Sequence, residues 1–118
     1  MKRSIFYAII LFLYSCGISQ KTQQQLKEKI IGNWNTVQPS QTFYYNLEFN
    51  KNGAVFYTTG DTIMYYAYEF KRKNFLLLRD RNSQKAHNKI IKLTQDSLIF
   101  ENFLEYKTPQ VYVRKVSK

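Results

Sequence analysis

The chain has 118 residues, a single cysteine and a formal net charge of +10. That length supports one domain core with no room for a second, and a lone cysteine excludes a disulfide within the chain. The basic excess suits anionic lipid headgroups or anionic envelope polymers, and equally a well-solvated exterior.

The chain opens on Met1-Lys2-Arg3-Ser4, continues through an almost unbroken apolar run from Ile5 to Tyr14, and closes on Ser15 and Cys16. A positive start, a short apolar middle and a small residue before the processing point make an export signal. The run is too short for a permanent span, which takes about 20 residues, so residues 1–15 are expected to be a removed leader. With it go Lys2 and Arg3, which lowers the formal charge to +8. Leu13-Tyr14-Ser15-Cys16-Gly17 resembles the lipobox of bacterial lipoproteins, matching at Leu13, Ser15 and Cys16, with Tyr14 bulkier than the usual residue. That resemblance implies cleavage before Cys16, diacylglycerol on its sulfur and an acylated amino group, with the membrane as partner. An unpaired thiol in an exported protein needs a use other than a disulfide, and acylation is one. Each buried methylene contributes about 0.8 kcal/mol, so two or three chains hold firmly where one holds marginally. The plainer alternative is an ordinary cleaved signal with an incidental cysteine.

Residues 16–21 read as a tether, small and polar after the cysteine. No acidic cluster follows Cys16, which in lipoproteins that this end resembles leans toward the outer membrane with the domain facing the periplasm. The domain itself is expected over 22–118. Thr22-Gln23-Gln24-Gln25 has capping-box spacing, with Thr22 as N-cap. Leu26 and Ile30 then share one helical face, and Gly32 supplies the stop.

From Asn33 onward the apolar period changes from helical to alternating, with turn residues about every ten positions. The pattern predicts eight strands, at 33–38, 43–50, 54–60, 63–71, 74–80, 87–94, 97–104 and 109–116. In the second, Phe43, Tyr45, Leu47 and Phe49 form the expected inner face. Asn52-Gly53 reads as a tight turn through positive φ. In the fourth, Met64, Tyr66, Tyr68 and Phe70 point inward. Lys71-Arg72-Lys73-Asn74 is a solvated hairpin tip, and the unbroken run Phe75–Leu78 predicts a strand covered on both faces. Eight such antiparallel strands close into an up-and-down barrel, whose interior is wide enough for side chains or for one small ligand. The fold class is therefore all-β, an eight-stranded antiparallel barrel with a short N-terminal helix.

Gly32-Asn33-Trp34, opening the first strand after that helix, is similar to the Gly-x-Trp signature of the lipocalin and lipocalin-like families. The resemblance implies a basic residue from the last strand packed over the tryptophan at the closed base, for which Arg114 is the match. It also implies a possible hydrophobic cavity, with Tyr45, Tyr66, Tyr68, Phe70 and Phe100 as candidate lining. Read from the residues alone, Trp34 is a core anchor, and interiors packed to a density of about 0.75 leave few voids, so the same rings equally suit a filled core.

No nucleophile motif, phosphate loop, metal-ligand spacing or cofactor signature is present in the sequence, and His87 stands alone beside Asn88 and Lys89. No enzymatic activity and no cofactor are expected. Interleaved aromatics and cations would permit single-strand nucleic-acid binding, but export removes that partner. Two readings remain: an anchored carrier of a small hydrophobic ligand, and an anchored module with a filled core that engages another envelope protein or polymer.

Overall fold

A computed structural model describes residues 19–115; the expected leader, Cys16 and the last three residues lie outside them. The helix α1 spans Gln20–Ile30. Its N-cap is Ser19, not Thr22: the Ser19 hydroxyl accepts from the Thr22 N–H at 3.2 Å, and its carbonyl accepts from the Gln23 N–H at 3.0 Å. Ser19-x-x-Thr22 offers the same geometry one turn earlier than Thr22-x-x-Gln25, and the earlier start adds helical hydrogen bonds. Folded structure therefore takes up part of the segment expected to be tether.

Eight strands follow: β1 Gly32–Thr36, β2 Tyr44–Asn50, β3 Gly53–Thr58, β4 Ile63–Arg72, β5 Phe75–Arg79, β6 Lys85–Leu93, β7 Ser97–Asn102 and β8 Gln110–Arg114. Each pairs antiparallel with the next, and β8 returns to β1 through Trp34↔Arg114, Asn35↔Val113 and Thr36↔Tyr112, closing the barrel. Closure leaves no free edge strand, which suits a small domain without a disulfide.

The structure departs from the sequence pattern at two places in β2 and its turn. The β2–β3 turn is made by Lys51-Asn52, with Asn50 paired to Gly53, and neither Asn52 nor Gly53 has a positive φ. Glycine stands at 53 because of a close approach: a Cβ there would lie 3.0 Å from the Tyr66 carbonyl oxygen. The inner face of β2 is also different. A bulge between Tyr44 and Asn46 breaks the alternation, so Tyr44 turns inward with Leu47 and Phe49 while Phe43 and Tyr45 face outward. One extra residue in a strand exchanges the faces on either side of it.

The interior holds Trp34, Leu47, Phe49, Phe56, Phe70, Leu76, Leu78, Leu98, Phe100 and Tyr112, all essentially inaccessible. Of the expected β4 set, Tyr68 and Phe70 are buried, while Met64 and Tyr66 pack on the core and stay partly exposed. On β5, Leu76, Leu77 and Leu78 are all buried. Leu77 faces outward between its cross-strand neighbours Glu69 and His87.

α1 crosses one end of the barrel. At its C-terminal end, the Ile30 carbonyl accepts from Trp34 Nε1 on β1 at 2.8 Å; near its start, Gln23 Oε1 accepts from the Phe70 N–H on β4 at 2.5 Å. β1 and β4 are three staves apart, so the helix lies over the mouth and lowers Leu26 and Ile30 onto the core.

Candidate functional site

Three places could carry function: the helix-covered end, the interior and the outer surface. At the first, the Arg114 guanidinium lies 4.2 Å from the centre of the Trp34 ring system. It also donates to three carbonyls: Nη1 to Ile31 at 2.7 Å, Nη2 to Lys29 at 2.6 Å and Nε to Gln95 at 2.5 Å. The carbonyls of Lys29 and Ile31 belong to the end of α1, where backbone acceptors have no helical partner and carry partial negative charge. Arg114 thus joins the last strand, the helix end and the tryptophan in one contact set. Gly32, at φ +138°, makes room for it, since a Cβ at that position would collide with Nη1.

The opposite end is closed by a different device. Phe103, at the start of the β7–β8 loop, is fully buried and stacks on Phe100 at 4.3 Å between ring centres. It also meets Phe56 at 5.5 Å, Tyr44 at 5.7 Å and Tyr112 at 5.9 Å. Edge and stacked contacts at these separations leave ring against ring. Asn88, inward on β6 and inaccessible, fixes the loop: its Oδ1 accepts from the Leu104 N–H at 2.6 Å, and its Nδ2 donates to the carbonyls of Leu76 and Ala86. The Tyr44 hydroxyl donates to Glu105 Oε1 at 2.8 Å, and the Tyr112 hydroxyl donates to the Tyr44 carbonyl at 2.7 Å. Burial raises the phenol pKa of both above the usual value, and for Tyr44 the adjoining Glu105 carboxylate adds to the rise.

The candidate cavity residues divide. Tyr45 is excluded, being 42% exposed on the outer face. Tyr66 sits at the rim, its ring 4.9 Å from Phe56. Tyr68, Phe70 and Phe100 are interior residues; Tyr68 packs edge-on against Phe49 at 5.2 Å and donates its hydroxyl to the Asn50 carbonyl. Phe103 was not legible as a plug because a strand drawn through 104 absorbs it as one more inward ring. Asn88 carried no signal of burial, standing between His87 and Lys89.

The open surface lies outside the staves, along β4. A cleft of about 540 Å³ is lined by Asn50, Val55, Tyr65, Tyr66, Arg79 and Arg81 among others, and a second of about 330 Å³ by Lys27, Tyr68, Glu69, Leu77 and Arg79. Ala67 and Arg79 line both, so the two adjoin. The Arg81 guanidinium stacks 4.6 Å over Tyr65, and the Lys27 ammonium lies 5.3 Å from the Tyr68 ring centre. Among the described residues no three His, Cys, Asp or Glu side chains gather as metal ligands, and no helix is long and apolar enough to cross a membrane. His87 is an exposed strand residue paired with Leu77.

No protein-family model matches the chain, and neither the curated proteins nor the solved structures give a match.

Proposed function

We propose that this chain is a lipoprotein of the bacterial cell envelope, anchored through acylated Cys16, whose lipocalin-like barrel binds a protein or polymer of the envelope by its outer surface. The observation that carries the outward choice is the interior. Phe103 stacks on Phe100 and meets Phe56, Tyr44 and Tyr112, so rings occupy the space where a carried ligand would sit. The adjoining clefts along β4, with stacked Arg81 and Tyr65 and the exposed Arg79, are the surface on offer. The anchor rests on the residues from Met1 to Cys16, and Ser19, the N-cap of α1, stands three residues after it in sequence. The role is binding, not catalysis, with no cofactor and no nucleic acid.

The alternative, a small hydrophobic ligand within the barrel, is favoured by one observation: Tyr66 and Met64 stay partly exposed at the rim. Native mass spectrometry of the protein purified from its own host tests the proposal. The expected mass is the chain from Cys16 onward plus its acyl groups and nothing more. A retained leader or an unmodified cysteine contradicts the anchor, and a co-purifying small molecule contradicts the outward binding.

A further inference from the structure

Charge is unevenly placed between the two ends of the barrel. The α1 end gathers Lys21 and Lys29 from the helix, Lys51 from the β2–β3 turn, and Lys71, Arg72 and Lys73 from the β4–β5 tip, all exposed. Lys92, late in β6, and Lys115, just after β8, add to it and are exposed as well. Four carboxylates share this region, and Glu48, paired with Asn33 near the end of β2, accepts from the Tyr57 hydroxyl at 3.2 Å. Glu69 is spent on Lys71 at 3.3 Å, Glu28 accepts from Gln24 at 3.3 Å, and Asp96 sits in the β6–β7 turn. At the opposite end Arg79, Arg81, Lys85 and Lys107 stand against Asp61, Asp80 and Glu105, close to balance.

The chain that precedes the fold leaves from this same basic end. α1 crosses the mouth from Ile30 on β1 to Gln23 against Phe70 on β4, so Ser19 lies beyond β4, on the side of the Lys71-Arg72-Lys73 tip. Cys16 is three residues before Ser19, which at full extension spans at most about 11 Å. An acyl chain on Cys16 would therefore hold the helix-covered end within roughly one Debye length of a bilayer, where the surface charge is weakened by salt and still felt.

Resting on the lipid-anchor reading above, we infer that the α1 end of the barrel is a docking face for an anionic phospholipid surface, with the β4–β5 tip and Lys21 as its main contacts. The acyl chains and the cations act together: one supplies hydrophobic insertion and the other sets which way the barrel stands. The clefts along β4 then run up the side of the barrel from the docking face, open to a partner at their Arg79 and Arg81 end. A polybasic segment beside a lipid anchor gains about 1 kcal/mol per Lys or Arg near an anionic surface.

The test uses the chain from position 16 onward carrying Cys16→Ser. It keeps all of residues 19–115 and has no acyl chain, so its result is independent of whether Cys16 is lipidated in the cell. Binding is measured by co-sedimentation with vesicles of phosphatidylcholine alone and with about one-third phosphatidylglycerol. The expected result is binding to the anionic vesicles only, falling at least tenfold between about 0.05 and about 0.3 M salt. Lys21→Glu, Arg72→Glu and Lys73→Glu together should weaken it on the order of 100-fold. Arg79→Glu, Lys85→Glu and Lys107→Glu together, the same charge change at the other end, should weaken it no more than about threefold. All six residues are exposed, and circular dichroism with thermal melting is the check that both triple variants fold. Equal losses in the two triple variants, equal binding to neutral vesicles, or binding to polyphosphate with none to anionic vesicles would each overturn the inference.

Discussion

The two ends of the barrel are closed by different chemistry. At the α1 end a cation does the work: Arg114 lies over Trp34 and donates to the carbonyls of Lys29, Ile31 and Gln95, so a polar clamp seals the helix onto the staves. At the other end apolar rings do it, with Phe103 stacked on Phe100 and the buried amide of Asn88 holding the loop in place. The clamp is directional, and each of its bonds depends on the others being in position. The plug depends chiefly on volume, with the Asn88 amide and the Tyr44 and Tyr112 hydroxyls satisfied around it. The lesson is that a small barrel without a disulfide can close one end with a motif and the other with packing.

The largest expected effect is at the clamp's centre. Trp34→Ala should lower unfolding free energy by about 3–5 kcal/mol in urea titration, because it empties a large fully buried site and frees Arg114 from its ring. Phe103→Ala should cost about as much, but with a different signature. It should leave the Arg114 contacts intact and open a hollow among Phe56, Phe100 and Tyr112 that takes up a small apolar probe. Similar behaviour of the two variants toward that probe would erase the contrast between the ends.

Next comes Arg114→Met, which removes the cation–ring contact and the three carbonyl bonds and should cost about 2–3 kcal/mol. Arg114→Lys should recover only part of this, since a point charge replaces a planar fork. Gly32→Ala should mimic the loss, because the added Cβ displaces Nη1 at a positive φ, and combined with Arg114→Met it should be much less than additive. Full additivity would separate Gly32 from the clamp. At the plug end, Asn88→Ala should cost about 1–3 kcal/mol by leaving the part-buried N–H of Leu104 without an acceptor.

The smallest effect separates the ends by pH. Burial, and for Tyr44 the Glu105 carboxylate, raise the pKa of Tyr44 and Tyr112 in the folded chain. Both phenols stay protonated there when the unfolded chain begins to lose those protons, near pH 10. Their contribution is therefore whole below about pH 10 and declines as pH rises further toward the folded values. Thermal midpoints measured across that range should fall, and Tyr44→Phe should flatten the fall.

Strand number, order and most boundaries were legible because alternation and turn residues act locally. Trp34 and Arg114 were legible as a pair through a motif at one end of the chain and a cation near the other. What the sequence concealed depends on geometry between segments. The bulge in β2 carries no residue signature, and it alone turns Tyr45 out and Tyr44 in. Gly53 sits beside Asn52 as a turn pair would, yet it is there to admit the Tyr66 carbonyl. Phe103 looks like one more strand ring until the chain bends at Leu104, whose φ is positive. Ser19 and Thr22 are both hydroxyl residues with N-cap spacing, and only the helical hydrogen bonds of the folded chain select Ser19.

The central claim is that this barrel is full and works from its outside. The direct measurement is titration of the purified wild-type protein, stripped of co-purified lipid, with an environment-sensitive fluorescent fatty-acid analogue, beside Phe103→Ala. No saturable binding by the wild type is the predicted result, and none by Phe103→Ala either, because the hollow left by one ring is of the size that admits benzene and not a fatty chain. Saturable one-to-one binding by the wild type, displaced by unlabelled fatty acid and lost on filling the interior with Tyr66→Trp, would contradict it.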